Sequence, residues 1–359
     1  MYGIIVYIQS ETIVRYTALL QEMYIRTETI DSKFAHVKQS GYRKGNKEMF
    51  EHKEIIGIDH GNRNIKTAGG AIFSASVQPI RTKPDSLENV LEYQNQSYFI
   101  GSGVPAIERV DKTENEDYYI LTLAALAMEL KSRNLTSANV WMGAALPPRR
   151  FQSQKDGFKK YLSKTRELHF RFEGTHYHVT LENVYVFMQG HVVIHTLLEE
   201  IPGFCLLIDI GGGTVDLVGF VDGMPDGNYA ISDKAALYCI NRVNEETVAK
   251  FGTGVPPYIV EAFMRNGSYE CPEKYQTEIT RCLKEYSADI YEIIQANNYN
   301  LELTNMVFMG GGASIIQHFG NNEGRMVQFV PDVCANARGC EAAVGSIMRA
   351  RKIRKEKSA

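Results

Sequence analysis

Two apolar runs in this chain each deliver an aspartate to a glycine-centred turn and then resume as a second run. The first, from Ile55, reads IIGIDHGNRNIKTAGG; the second, from Leu206, reads LLIDIGGGTVDLVGF. Glycine in such a turn reaches φ > 0 and carries no Cβ, so successive backbone N–H groups can close on an anion. Asp59 and Asp209 stand at the mouths of the two turns. A carboxylate there suits hydrated Mg²⁺, which takes one or two carboxylates, several waters and phosphate oxygens. The pair predicts the two halves of one phosphate clamp.

A third turn follows the apolar strand MVFM at Met306, with Gly310, Gly311 and Gly312 leading to Ala313 and Ser314 at the start of a helix. A strand followed by glycines is common in α/β proteins, and any one of the three would also fit a plain tight connection. Their order is more restrictive: Asp-x-Gly-x-x-Asn over 59–64, Asp-x-Gly-Gly-x-Thr-x-Asp over 209–216, then Gly-Gly-Gly over 310–312. None matches the P-loop G-x-x-x-x-G-K-[ST], and none is G-x-G-x-x-G within a βαβ unit.

Taken together, these segments resemble the actin-type ATPases. Asp59 to Lys66 is similar to their first phosphate motif, Asp209 to Asp216 to the second, and Gly310 to Gly312 to the adenosine motif. Within that superfamily the resemblance is to bacterial plasmid-segregation actins of the ParM (StbA) type, over roughly Phe50 to Ile353. It implies an α/β, actin-like (ribonuclease H-like) fold of two domains with nucleotide in the cleft between them. The expected division is an extension at 1–50, domain I at 51–203 with a returning segment at 330–353, domain II at 204–329 and a basic tail at 354–359. The first clamp strand begins late for this family, so 1–48 is either an added element or the product of a misassigned start, with Met49 as the true first residue.

The resemblance also assigns roles. Gly61, Asn62, Arg63, Asn64, Lys66, Gly211, Gly212, Gly213, Thr214, Gly310, Gly311, Gly312 and Ala313 are expected to bind nucleotide, Lys66 as a point charge on the β and γ phosphates. Asp59, Asp209 and Asp216 are expected around Mg²⁺, with Asp209 also catalytic. Gln189, between the strand VYVFM and the next helix, is the candidate that orients the attacking water, since phosphoryl transfer asks mainly for positioning. The ParM branch often has an acidic residue there, so a glutamine implies slow turnover. His60 departs from an acidic family position, but alternation sends it to the opposite face from Asp59. ATP is the expected nucleotide, GTP an alternative, and Glu261 and Tyr258 lie near the base or ribose by position.

Composition narrows the class further. The chain has 359 residues, 44% of them hydrophobic, and a net charge of −3, enough for a large core and too little positive charge for bulk nucleic-acid binding. Six cysteines lack C-x-x-C pairing, as expected of reduced thiols in a cytoplasmic protein. No apolar run approaches the ~20 residues of a membrane helix, and the five-residue patch IIVYI is too short for a leader. His169, His176 and His178 lie in a predicted hairpin around Glu173-Gly174, with 176 and 178 on one face but no third metal ligand at useful spacing. Helices are predicted over 11–25, 118–131, 152–163, 190–200, 233–250, 256–265, 272–297 and 334–352, and residues 83–96 as a charged loop.

The implied function is an ATP hydrolase that forms head-to-tail filaments, segregates plasmid DNA and is captured by a DNA-bound adaptor of the ParR type. Rivals on the same core are a sugar or acetate kinase, for which no acidic base in a sugar pocket is evident, and non-polymerising chaperone-like or cell-division members.

Overall fold

The computed structural model describes residues 53–82, 84–102, 111–195 and 203–358, with side chains described as far as Ile353. The extension at 1–50 and its expected helix lie outside the described residues. Lys53–His60 (β1), Asn64–Thr67 (β2), Ile72–Ser74 (β3), Val77–Ile80 (β4), Val90–Tyr93 (β5), Gln96–Ile100 (β6), Ser137–Leu146 (β7), Glu167–Phe172 (β8) and Thr175–Met188 (β9) form one sheet, ordered β3-β2-β1-β7-β9-β8-β5-β6-β4. A second sheet contains Phe204–Ile210 (β10), Val215–Val221 (β11), Met224–Ser232 (β12), Asn305–Met309 (β13) and Val327–Phe329 (β14), ordered β12-β11-β10-β13-β14. The sheets share a plan. In each, the aspartate strand pairs antiparallel with the strand leaving its turn (β1 with β2, β10 with β11) and parallel with a distant one (β1 with β7, β10 with β13).

Strand alternation divides β1 cleanly. Ile56 and Ile58 point into a core formed with Asp117–Ser132 (α1) and Pro148–Leu162 (α2). His60 shares their face, against the Phe158 ring and the Thr122 hydroxyl. Gly57 and Asp59 occupy the other face. The second sheet buries Leu206, Ile208 and Ile210 under Ala236–Phe251 (α4), Pro257–Asn266 (α5), Glu273–Ala296 (α6) and Ala313–Phe319 (α7). The short helix His191–Ile194 (α3) follows β9, and the rest of the helix expected over 190–200 lies largely outside the described residues.

A third core joins the halves. Tyr185 and Phe187 of the first sheet meet Leu207, Val218 and Val307 of the second, with Cys340, Val344 and Ile347 of the last helix between them. That helix, Ala335–Ser358 (α8), lies against β1 and β7. Its seat is glycine. A Cβ on Gly57 would come within 1.9 Å of the Ala337 carbonyl oxygen, and one on Gly143, the cross-strand partner of Gly57, within 2.8 Å of the Cys340 oxygen. Arg133, the C-cap of α1, fastens the helix at its edge: Nη1 donates to Glu54 (2.7 Å) and the Ile55 carbonyl, and Nη2 to Glu129 (2.9 Å) and Glu341 (3.1 Å).

Three expectations need correcting. The segment 83–96 holds strand β5, closed onto β6 by Gln94 and Asn95 at positive φ; its buried Val90, Leu91 and Tyr93 were hidden by the polar residues around them. The helix expected from 152 begins at Pro148, because proline suits a first helical position where its missing N–H costs nothing. The last helix, expected over 334–352, has a backbone that stays helical through Ser358, in line with the good helix propensity of Arg, Lys and Glu.

Candidate active site

The registers bring the motif residues to one place. Asp59 lies opposite Lys66 across β1 and β2, and Asp209 opposite Asp216 across β10 and β11. Met309 is the parallel partner of Asp209, so Gly310 begins where Asp209 ends. A Cβ on Gly310 would sit 2.3 Å from Asp209 Oδ1, and its φ of +85° is a conformation that glycine alone adopts without strain. A Cβ on Gly312 would strike Ile210 at 2.2 Å, so the third turn is closed directly onto the second.

The first turn is held from several sides. Asp59 is buried, and Gln189 Nε2 donates to its Oδ1 at 2.5 Å. Lys66 Nζ stands 4.0 Å from Asp59 Oδ2. Arg63 reaches over the second turn, where a Cβ on Gly212 would meet its side chain at 2.8 Å, and pairs with Glu261 of α5 at 2.9 Å. Residues from both halves therefore meet at one place, with Gln189 against Asp59 beside it. The Thr214 hydroxyl, expected to face phosphate, donates to Asp216 Oδ2 at 2.9 Å, as their shared strand face allows.

Electrostatics single out the second turn. Burial, opposed by Lys66 and reinforced by Asp216 and Asp59, pushes Asp209 up to about 7. Burial likewise raises Asp216 to about 6, against the Thr214 hydrogen bond and the Arg150 charge. Two carboxylates driven toward protonation by burial, one of them also by its acidic neighbours, mark a place where a divalent cation would be stabilised. Among the described residues no group of three or more His, Cys, Asp or Glu side chains is placed to hold a metal ion alone. The donor set therefore suits a Mg²⁺ held partly through water and phosphate oxygens, and does not provide a closed protein cage.

Two contributors escape the motifs. Lys112 is buried beneath the first turn, donating to the His60 carbonyl, to Asn62 Oδ1 (3.1 Å) and to the Tyr118 hydroxyl (3.3 Å). Burial lowers its ammonium to about 7, with Asp59 acting the other way. Nothing in the surrounding sequence distinguishes Lys112 from a solvated lysine. Asn336, the second residue of α8, accepts the Gly190 N–H at 2.8 Å, and its carboxamide works against the burial that raises Asp209. Its segment, NARGCEAAVG, resembles the family's returning element, but the resemblance gave the asparagine no role.

Comparison with known proteins bears on the fold. The family model described as "Actin like proteins N terminal domain" matches residues 57–191. The fold is actin-like. Similar solved structures include the archaeal actin homolog Ta0583 in complex with ADP (20% identity, 81% of this chain and 99% of that one, TM-score 0.63). ParM of Bacillus thuringiensis with ATP is another (12% identity, 84% and 100%, TM-score 0.63), and the Alp12 filament a third (14% identity, 82% and 99%, TM-score 0.61). No curated protein matches the chain. Among the described residues no helix is long and apolar enough to cross a membrane.

Proposed function

We propose that the protein is a cytoplasmic, Mg²⁺-dependent ATPase of the ParM type, which assembles head to tail when ATP is bound and segregates plasmid DNA through a DNA-bound adaptor. The observation that carries the reading is the meeting of Asp59, Lys66 and Gln189 with Asp209 and Gly310 where the two sheets adjoin. Similarity of fold to a ParM solved with ATP and to the Alp12 filament supports it.

Bound Mg²⁺ would neutralise phosphate charge and polarise the γ-phosphoryl group. The residues of the chain do the positioning. Lys66 places a point charge beside the phosphates, and the glycine turns at 61, 211–213 and 310–312 let the backbone approach them. Asp59 takes the Gln189 Nε2 hydrogen, which leaves Oε1 as an acceptor for a proton of the attacking water. A neutral carboxamide orients that water without removing its proton outright, so turnover is slow. Asp59, Asp209 and Asp216 would surround the metal, mostly through water. Head-to-tail contacts that do not close give filaments, and nucleotide favours them by binding the closed cleft better than the open one.

Sedimentation tests the reading. The protein should pellet with Mg-ATP and stay in the supernatant without nucleotide, and Gln189→Ala should slow phosphate release while still pelleting. Retention in the supernatant with every nucleotide, at high protein concentration, would remove the filament while leaving the ATPase to be assayed separately. Parallel assays with GTP decide the base.

A further inference from the structure

The first phosphate turn rests on a floor that its own residues do not supply. Tyr118 and Thr122, four residues apart on α1 and so on one face of that helix, lie beneath it. The Thr122 hydroxyl holds the His60 ring, 2.9 Å from Nε2, and the Tyr118 hydroxyl donates to the Gly61 carbonyl at 3.3 Å. Lys112 adds a buried cation to this floor. Its ammonium donates to the His60 carbonyl, to Asn62 Oδ1 at 3.1 Å and to the Tyr118 hydroxyl at 3.3 Å, and it lies 4.4 Å from the centre of the Tyr118 ring. Three ammonium hydrogens meet three oxygens, so none of the donors of the buried group is left unmet. One cation thus holds three successive residues of the turn: His60 by its carbonyl, Gly61 through Tyr118, and Asn62 by its side chain.

A carbonyl taken from below fixes the peptide it belongs to. Among the described residues no peptide bond is cis, and in a trans peptide the carbonyl oxygen and the following N–H point opposite ways. Holding the Gly61 oxygen against α1 therefore turns the Asn62 N–H away from α1, toward the face of β1 on which Asp59 lies, and no backbone carbonyl among the described residues takes that N–H. We propose that Lys112 is a positioning residue for the first phosphate turn, fixing the peptides at 60–62 from beneath so that the Asn62 N–H stands ready for a nucleotide phosphate. The ordering of the turn is a property of the fold; its consequence for phosphate binding rests on the nucleotide reading above. Methionine at 112 fills the space of the lysine stem and leaves three oxygens without their donor. Phenylalanine at 118 keeps the charge and removes only the hydroxyl that reaches Gly61.

Two ligands and one ligand-free measurement test this role. In calorimetry with Mg²⁺ present, Lys112→Met should weaken ADP binding about tenfold or more, while adenosine, which lacks phosphates, changes by less than about twofold. Tyr118→Phe should weaken ADP in the same direction, about threefold, with adenosine again unaffected. Without nucleotide or metal, nitrogen relaxation by NMR should give the Gly61 and Asn62 amides order parameters of about 0.85 in the wild-type protein and below about 0.6 in Lys112→Met. In Tyr118→Phe the Asn62 value should fall as well. Equal weakening of ADP and adenosine would assign Lys112 to general stability and overturn the inference. So would a turn that stays rigid in Lys112→Met while Tyr118→Phe binds ADP like the wild type, since Lys112 would then act by charge alone. Should Lys112→Met not fold, Tyr118→Phe decides through the same affinity ratio and order parameters. Wild-type protein that binds neither ligand would defeat the nucleotide reading alone, since the order parameters need no nucleotide.

Discussion

At Asp209 burial and two neighbouring carboxylates act together against ionisation, and Lys66 and Asn336 only partly offset them. A carboxyl at about 7 in the folded protein and near 3.8 when unfolded makes a stability contribution that is full below about 3.8 and is lost as pH rises to about 7. Asp216 adds to the same decline up to about 6. His60 works in the opposite sense: burial holds its imidazole at about 3, so its contribution is full above 6.5 and is lost as pH falls toward about 3. Asp209→Asn separates these effects. Without nucleotide or metal it should melt higher than the wild-type protein at pH 8, by roughly 3 °C or more, and at nearly the same temperature at pH 4, where Asp209 is already protonated. Calorimetry at the two pH values checks this, and equal melting at pH 8 would mean that the cleft carries no charge strain. Mg-ATP should erase the difference by favouring the wild-type carboxylate.

At the scale of elements, the seat of α8 is the most demanding contact in the molecule. Gly57→Ala places a methyl group inside contact distance of the Ala337 carbonyl and should cost roughly 1–3 kcal/mol in urea unfolding. Gly143→Ala, with its nearest atom at 2.8 Å, should cost less. Gly157→Ala is the control. It lies inside α2 with nothing within 4 Å of the added Cβ, so helix propensity should make it stabilising by up to about 1 kcal/mol. These elements were legible to different degrees. The clamp strands could be read because Ile56 and Ile58 alternate with Gly57 and Asp59, and the hairpin at Glu173-Gly174 because alternation on both sides brackets a glycine, which takes positive φ without strain. Strand β5 could not, since four residues between polar flanks carry too little period. Of the site, the residues within the three turns could be named from their motifs, and Gln189 from its place after a strand. Lys112 and Asn336 could not be given roles, because what defines them is burial against residues distant in the chain, and a single sequence carries no record of those contacts.

Across the whole molecule, Arg63 and Glu261 join a turn of the first sheet to a helix of the second. Both side chains are about one-third exposed, at 33% and 34%, so their pair contributes roughly 1 kcal/mol at most and weakens with salt. That is too little to lock the cleft and enough to bias it. Glu261→Gln should speed both uptake and release of a fluorescent ATP analogue severalfold, and added salt should bring the wild-type protein toward the same rates. Stopped-flow mixing measures both, and salt-independent wild-type rates would show that the pair does not gate the cleft. The position of α8 has another consequence. During translation, β1 and β7 emerge long before the helix that covers their glycine floor, and at ordinary elongation rates the wait is roughly ten to forty seconds. Through that interval the trough around Gly57 and Gly143 lies bare on the nascent chain, until the last helix takes its seat.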